Sequence, residues 1–388
     1  MRDPHNRSVR GAARSMLFMS VGCTALTILL SSCSTNLTVQ REAQQAEDGV
    51  CTVQYSIVCV IHGDNDYLYH DTGGHEYNAD EVALTEAIKV AQQNPRAEMF
   101  IFRQRPRRHF LFFFPLQDGE FYYYRNGRLI ANELYWRDQE QARFDSEVGL
   151  YRRFRTDSHR EIVRLFLYYG HEIPEFSGAG YDASNPDRTF TVDDLAAGLK
   201  SFTRDSARFD LMVLSTCFGG TPYTIGTLGP FARYIIASPD NLHLSYFDLH
   251  SLERLDLSLR DGNVSAFAKR FAHQTFDRLT MDIQTAISVA VYDVDRVQKY
   301  LFSVHRIYNR TLATLKGETQ ASIAAIEHCD CADIPAYLLP TMSEGIDVFY
   351  RPARFGRSKY KQSHSGWECW RDIKPQGTTS QATEPVPR

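Results

Sequence analysis

Neither sign of charge is in excess in this chain. Over 388 residues, 43 Lys and Arg face 47 Asp and Glu, a formal net charge of −4. The basic residues are scattered among acidic ones, which excludes the concentrated positive face of a nucleic-acid-binding protein. No internal repeat is visible, so a repeat architecture is excluded too. Zinc spacing is also missing. Cys329-x-Cys331 and Cys369 lie near His328 and His364, but at separations that match no common ligand set. What remains has an ordinary globular composition and is long enough for one large domain with an appendage.

The N-terminus has the pattern of a targeting segment. Arg2, Arg7, Arg10 and Arg14 precede an apolar stretch from Met16 to Leu30, which closes on Leu30-Ser31-Ser32-Cys33. That ending resembles the lipobox of bacterial lipoproteins. The resemblance implies removal of residues 1–32, acylation of Cys33 and a lipid anchor at the cell envelope. Ser34, where inner-membrane lipoproteins often carry aspartate, points to the outer membrane. Residues 34–50 are polar and suit a tether, so 33–50 is read as the anchored linker. Outside the cytoplasm disulfides become available to Cys51, Cys329, Cys331 and Cys369, and their three possible pairings stay open. Cys59, inside an apolar strand, is expected to remain a buried thiol.

Strand and helix signals then alternate. Residues 54–61 and 97–103 predict strands around a helix over 80–93, with Asp80 as its N-cap and Asn94-Pro95 as its stop. Aromatic runs at 109–114 and 120–124 flank Pro115–Gly119 and predict a hairpin whose rings pack in a sheet. A helix is expected over 138–153 and a strand over 161–169. Thr191 with Asp194 forms a capping box for a helix reaching Phe202. Strands leading to Cys217 and over 234–238 follow, separated by a short helix around 226–232. This alternation implies an α/β domain over 51–260, with a mainly parallel sheet flanked by helices. Residues 261–372 are expected to add a C-terminal extension of helices, over 264–279 and 293–315, and short strands. A disordered tail is expected over 373–388.

Two strand ends carry the chemistry. Leu165-Phe166-Leu167-Tyr168-Tyr169-Gly170 runs to His171, and Leu211-Met212-Val213-Leu214-Ser215-Thr216 runs to Cys217. Ligands of open α/β sheets collect beyond the carboxyl ends of the strands. A thiol beside an imidazole is the minimum apparatus for attack on a carbonyl, because the imidazole takes the thiol proton.

Four segments resemble the clostripain family of cysteine peptidases, which has the caspase-type fold. Val58–Asp66 resembles its first strand and Gly-Asp-Asn turn, and Gly170-His171 its histidine-bearing strand end. Phe209–Cys217 resembles the strand leading to its nucleophile, and Tyr234–Pro239 the strand after it. Cys217, Gly219 and His171 also echo the caspase spacing of cysteine, glycine and upstream histidine. The resemblance implies that Cys217 is the nucleophile and His171 the acid and base. It further implies that the amides of Cys217 and Glu172 bind the oxyanion, with a peptide or protein as substrate and no required cofactor. Some relatives depend on calcium, so Asp64, Asp66 and Asp71 form a candidate calcium turn.

Two positions depart from the family. Glu172 stands where many relatives have glycine, and Ser215 where an aspartate often selects Lys or Arg. A hydroxyl cannot pair with a guanidinium, so basic specificity is not expected. Ser215, Asp64 and Asp182 are the candidate substrate-pocket residues. The same departures support a second reading, a catalytically inactive caspase-like envelope lipoprotein that binds partners. Stable lipid anchoring needs more than one acyl chain. Mass spectrometry of the mature protein should therefore find Cys33 as a multiply acylated first residue. An unmodified Cys33 behind an intact 1–32 segment contradicts the anchor.

Overall fold

Strands that are buried along their length, rather than at alternate positions, build the centre of this fold, because both of their faces are covered. In the computed structural model, Tyr55–His62 is buried throughout, as is Ala97–Gln104 but for one half-buried arginine. The structure describes residues 52–63, 68–70, 74–111, 113–137, 144–156, 162–175, 188–203, 208–242, 247–259, 263–297 and 345–356.

The strands are β1 (Tyr55–His62), β2 (Leu68–His70), β3 (Glu76–Asn78), β4 (Ala97–Gln104), β5 (His109–Phe110), β6 (Phe114–Pro115) and β7 (Gly119–Arg125). They continue as β8 (Arg128–Tyr135), β9 (Val163–Tyr169), β10 (Phe209–Ser215), β11 (Ala232–Ala237), β12 (Ile287–Asp293) and β13 (Ile346–Arg351). The helices are α1 (Ala79–Gln93), α2 (Asp145–Phe154), α3 (Val192–Phe202), α4 (Pro222–Leu228), α5 (Leu255–Ser258) and α6 (Val264–Asp282).

Nine strands form one sheet in the order β13-β12-β11-β10-β9-β1-β4-β7-β8. The inner five, β4 to β11 in that order, are parallel, and an antiparallel pair extends each side. Alternation along β1 divides the core between two faces. Val58 and Val60 pack with α2, α3 and α4, whereas Ile57, Cys59 and Ile61 pack with α1 and α6. The extension expected past residue 260 is continuous with this sheet. Ile287–Tyr292, read from sequence only as a connection, lies within β12, and α6 packs on the same face as α1.

The capping box opens α3 as expected: Thr191 accepts from the Asp194 amide and Asp194 accepts from the Thr191 amide. Other expectations need correction. The partner of β7 is β8, not the run 109–114, because Asn126 and Gly127 adopt positive φ of 53° and 78° and close a tight hairpin. Phe121 and Tyr123 of β7 are buried and stack on Phe102 and Phe100 at 5.1 and 4.8 Å. Phe110, Phe113 and Phe114, in contrast, stand exposed on the small β5–β6 hairpin.

Asp80 is likewise not the cap of α1. Asn78 accepts from the Asp80 amide, and the Asp80 carboxylate, 1 % exposed, takes Arg103 Nη2 at 2.9 Å and Nε at 3.3 Å. Glu81 and Glu120 lie 3.6 and 3.7 Å from the same guanidinium, so loss of Asp80 removes the two short bonds but does not strand the charge. Asp80→Ala should therefore destabilise the fold by about 1.5–3 kcal/mol in urea denaturation, and an unchanged midpoint would contradict the pairing.

Candidate active site

The site grows from the pairing of β9 with β10. Tyr169 lies opposite Ser215 in the parallel register, and the Gly170 amide donates to the Ser215 carbonyl at 3.4 Å. His171 and Cys217 each follow two residues beyond that last pair. They occupy the same carboxyl edge on strands about 4.8 Å apart. The expected meeting of the two strand ends is therefore a consequence of the register.

Beyond β10 the chain turns sharply. Phe218 adopts φ 51°, the left-handed region that costs a non-glycine residue about 1–3 kcal/mol. Its amide donates to the Asp240 carbonyl at 3.2 Å, and the Gly220 amide donates to the Ser238 carbonyl at 2.8 Å. Glycine is required at 220, where an added Cβ would lie 2.5 Å from the Tyr292 hydroxyl and 2.9 Å from the Pro239 nitrogen. The same Tyr292 hydroxyl donates to the Gly220 carbonyl at 2.8 Å.

The loop after β11 reaches the sulfur itself. Cys217 Sγ donates to Asn241 Oδ1 at 3.2 Å, and the Leu242 amide points at Sγ from 3.4 Å. Bonds within Ser238–Asn241 hold this loop: the Asp240 amide donates to the Ser238 hydroxyl at 3.2 Å and the Asn241 amide to Asp240 Oδ1 at 2.8 Å. An N–H aimed at sulfur favours the thiolate. The Asn241 side chain can accept from a thiol or, turned over, donate to a thiolate. No sequence motif announced Asn241 or Leu242. Only their place just after the strand over 234–238 hinted at them.

Glu175 is the second residue that the sequence undervalued. A carboxylate in this loop is ordinarily solvated, yet Glu175 is 5 % exposed. Its Oε1 accepts from the Thr221 hydroxyl, the N-cap of α4, and from the Thr224 hydroxyl at 3.3 Å. Glu175 stands four residues after His171, and Thr221 four after Cys217. This contact therefore ties the histidine loop to the cysteine loop. His171, Glu172 and Cys217 are all half-buried.

Ser215 faces inward. It is 6 % exposed, its hydroxyl accepts from the Phe247 amide at 2.7 Å, and it lines a small cavity with Cys59, Leu167, Tyr169 and Val213. Cys59 is a thiol rather than half of a disulfide, and burial pushes its pKa up to about 12. It is thus inert where Cys217 is accessible. Asp248 is engaged as well, accepting from the His250 amide and pairing with Arg278 at 3.5 Å. Asp64, Asp66, Asp71, Asp182, Cys33, Cys51, Cys329, Cys331 and Cys369 lie outside the described residues. Among the described residues no cluster of His, Cys, Asp and Glu is arranged to hold a metal ion.

A mainly parallel sheet bearing a thiol and an imidazole on adjoining strand ends is the architecture of a caspase-like cysteine peptidase. The clostripain family model, peptidase C11, matches residues 167–361, just over half of the chain, and the chain belongs to that family. His171 and Cys217 both fall within the match, whereas β1 precedes it.

Among solved structures, the chain is similar to a secreted C11 cysteine protease from Bacteroides thetaiotaomicron bound to an irreversible peptide inhibitor. The two share 14% identity over 64% of this chain and 68% of that one, with a TM-score of 0.44. It is similar also to an inactive zymogen C11 protease from Parabacteroides distasonis, with 12% identity, 64% of each chain and a TM-score of 0.44. A further secreted C11 protease from Bacteroides thetaiotaomicron gives 10% identity over 67% of this chain and 72% of that one, with a TM-score of 0.45. No curated protein sequence matches the chain.

The Glu175 tie has a measurable consequence. Thr221 and Thr224 also bond each other at 3.0 Å, so Glu175→Ala leaves one of the two hydroxyls without a buried acceptor, at a cost of about 1–3 kcal/mol. Its melting temperature and kcat should both fall while KM holds, and Glu175→Gln, which keeps one acceptor, should recover part of each. An alanine variant with unchanged melting and turnover would remove Glu175 from the site.

Proposed function

We propose that the chain is an active cysteine endopeptidase at the bacterial cell envelope, held there by acylated Cys33. His171 takes the Cys217 proton, and the thiolate attacks the scissile carbonyl. The negative charge that develops on the carbonyl oxygen is received by the amides of Cys217 and Glu172, which a side chain at 172 does not remove. Collapse of the intermediate breaks the C–N bond, His171 returns the proton to the leaving amine, and a thioester remains on Cys217. Water, deprotonated by His171, then releases the acid and restores the thiol. None of these steps calls for a metal or cofactor, and calcium at the acidic turn would serve structure alone.

The observation that carries this reading is the shared level of His171 and Cys217 on adjacent parallel strands. A donor amide at Sγ supports it further. The rival, an inactive partner-binding lipoprotein, draws on Glu172 and on the bond from the Cys217 thiol to Asn241. Both readings take a peptide or protein as the ligand, and the acidic net charge speaks against nucleic acid. Because Ser215 is neutral and turned inward, the enzyme should lack the strong preference for Arg or Lys that an aspartate there confers.

Labelling with a thiol-reactive peptide electrophile, combined with cleavage of a peptide library, separates the readings. The wild type should be labelled at Cys217 and Cys217→Ala should not be labelled. His171→Ala should lose about 100- to 10,000-fold in turnover while keeping its fold. Labelling that survives in Cys217→Ala, or wild-type turnover in His171→Ala, would refute the assignment. Dominant cleavage after Arg or Lys would refute the role given to Ser215.

A further inference from the structure

The aromatic run that does not join the sheet is the least explained feature of the molecule. In the β5–β6 hairpin His109 pairs with Pro115 and Phe110 with Phe114, and the Leu116 amide closes back on the Arg108 carbonyl at 2.9 Å. Yet Phe110 is 58%, Leu111 62%, Phe113 82% and Phe114 63% exposed. Contiguous exposed apolar side chains of this size mark an interaction site.

Alternation along the strands says what kind of partner fits. Successive residues of a strand point to opposite sides, so a hairpin docked on another protein hides one side and exposes the other. Here the strand neighbours His109 and Phe110, and Phe114 and Pro115, are all exposed, so neither side is packed, and Leu111 and Phe113 stand exposed in the turn between them. An apolar tip with no packed side fits a medium that surrounds it rather than a surface that faces it.

The charge around the hairpin points the same way. Arg107, Arg108 and His109 are exposed at its base, Arg105 is half-buried, and residues 105–117 contain no Asp or Glu. The next acid, Asp118, is buried against Arg137 and Arg188 at 3.2 and 3.6 Å, so it does not offset them. Aromatic side chains ringed by arginine are the signature of an interfacial membrane element, with rings among the acyl chains and guanidinium groups at the phosphates.

We infer that the β5–β6 hairpin is a membrane-contact element that inserts its aromatic tip into an anionic phospholipid surface. Its position adds a consequence. The hairpin leaves the carboxyl end of β4, and β4, β1, β9 and β10 are consecutive parallel strands, so it sits on the same edge as His171 and Cys217. Three strand spacings separate β4 from β10, about 14 Å. Insertion of the hairpin would therefore bring the crevice edge toward the bilayer, where membrane-proximal polypeptides are within reach.

Hydrogen exchange on the full chain tests this, in solution and on vesicles of phosphatidylcholine with and without phosphatidylglycerol. Amides of residues 109–116 should exchange about tenfold more slowly on the anionic vesicles, while α2 is unchanged. Added salt, Arg107→Gln with Arg108→Gln, and Phe113→Ser with Phe114→Ser should each abolish the protection. Equal exchange on and off anionic vesicles would overturn the inference. So would equal protection on purely zwitterionic vesicles, or protection without vesicles that grows with protein concentration, which would mark contact with a second copy.

Discussion

The register between β9 and β10 sets where the imidazole of His171 and the thiol of Cys217 stand. Side chains alternate along a strand, so a slip of one residue would turn every inward group of that strand to the other face. Both faces of these two strands are filled. Leu165, Leu167, Leu211 and Val213 pack toward α1 and α6, while Phe166, Tyr168, Met212 and Leu214 pack toward α2, α3 and α4. A slip would exchange these sets between differently shaped layers. Because the core admits one register, Tyr169 meets Ser215, and the two residues beyond each reach His171 and Cys217.

Loops finish what the strands begin. The turn at Phe218 places a bulky residue in the left-handed region, and such strain persists only where surrounding bonds hold it. Here the Asp240 carbonyl, the Ser238 carbonyl and the Tyr292 hydroxyl supply them, so β12 and the loop that follows β11 converge on the turn. Glu175 does the equivalent for the histidine loop by reaching across to the first turn of α4. The two halves of the site are thus coupled through the backbone register on one side and a buried carboxylate on the other.

How much of this was visible in the sequence depended on how local each determinant is. The Thr191–Asp194 cap and the end of α3 at Phe202 were legible because every partner lies within one helix. The parallel strands were legible because continuous apolar runs admit little else. The β7–β8 hairpin was missed although Asn126-Gly127 signals it, because the conspicuous aromatic runs drew the pairing one segment upstream. Asp80 was misplaced because its deciding partner, Arg103, lies on the next strand. Glu175, Asn241 and the inward turn of Ser215 were illegible for the same reason: each is defined by a contact with a residue tens of positions away. Tertiary contacts of that kind leave no local pattern.

The central claim is that the imidazole of His171 controls the ionisation of Cys217, and the rate of Cys217 alkylation as a function of pH measures this most directly. With His171 in place, the inflection should lie well below the ordinary thiol value of about 8.5, and His171→Ala should return it to about that value. Cys59, buried and pushed up to about 12, should stay unmodified in both proteins and so serve as an internal control. Superimposable profiles for wild type and His171→Ala, both turning near 8.5, would contradict the account.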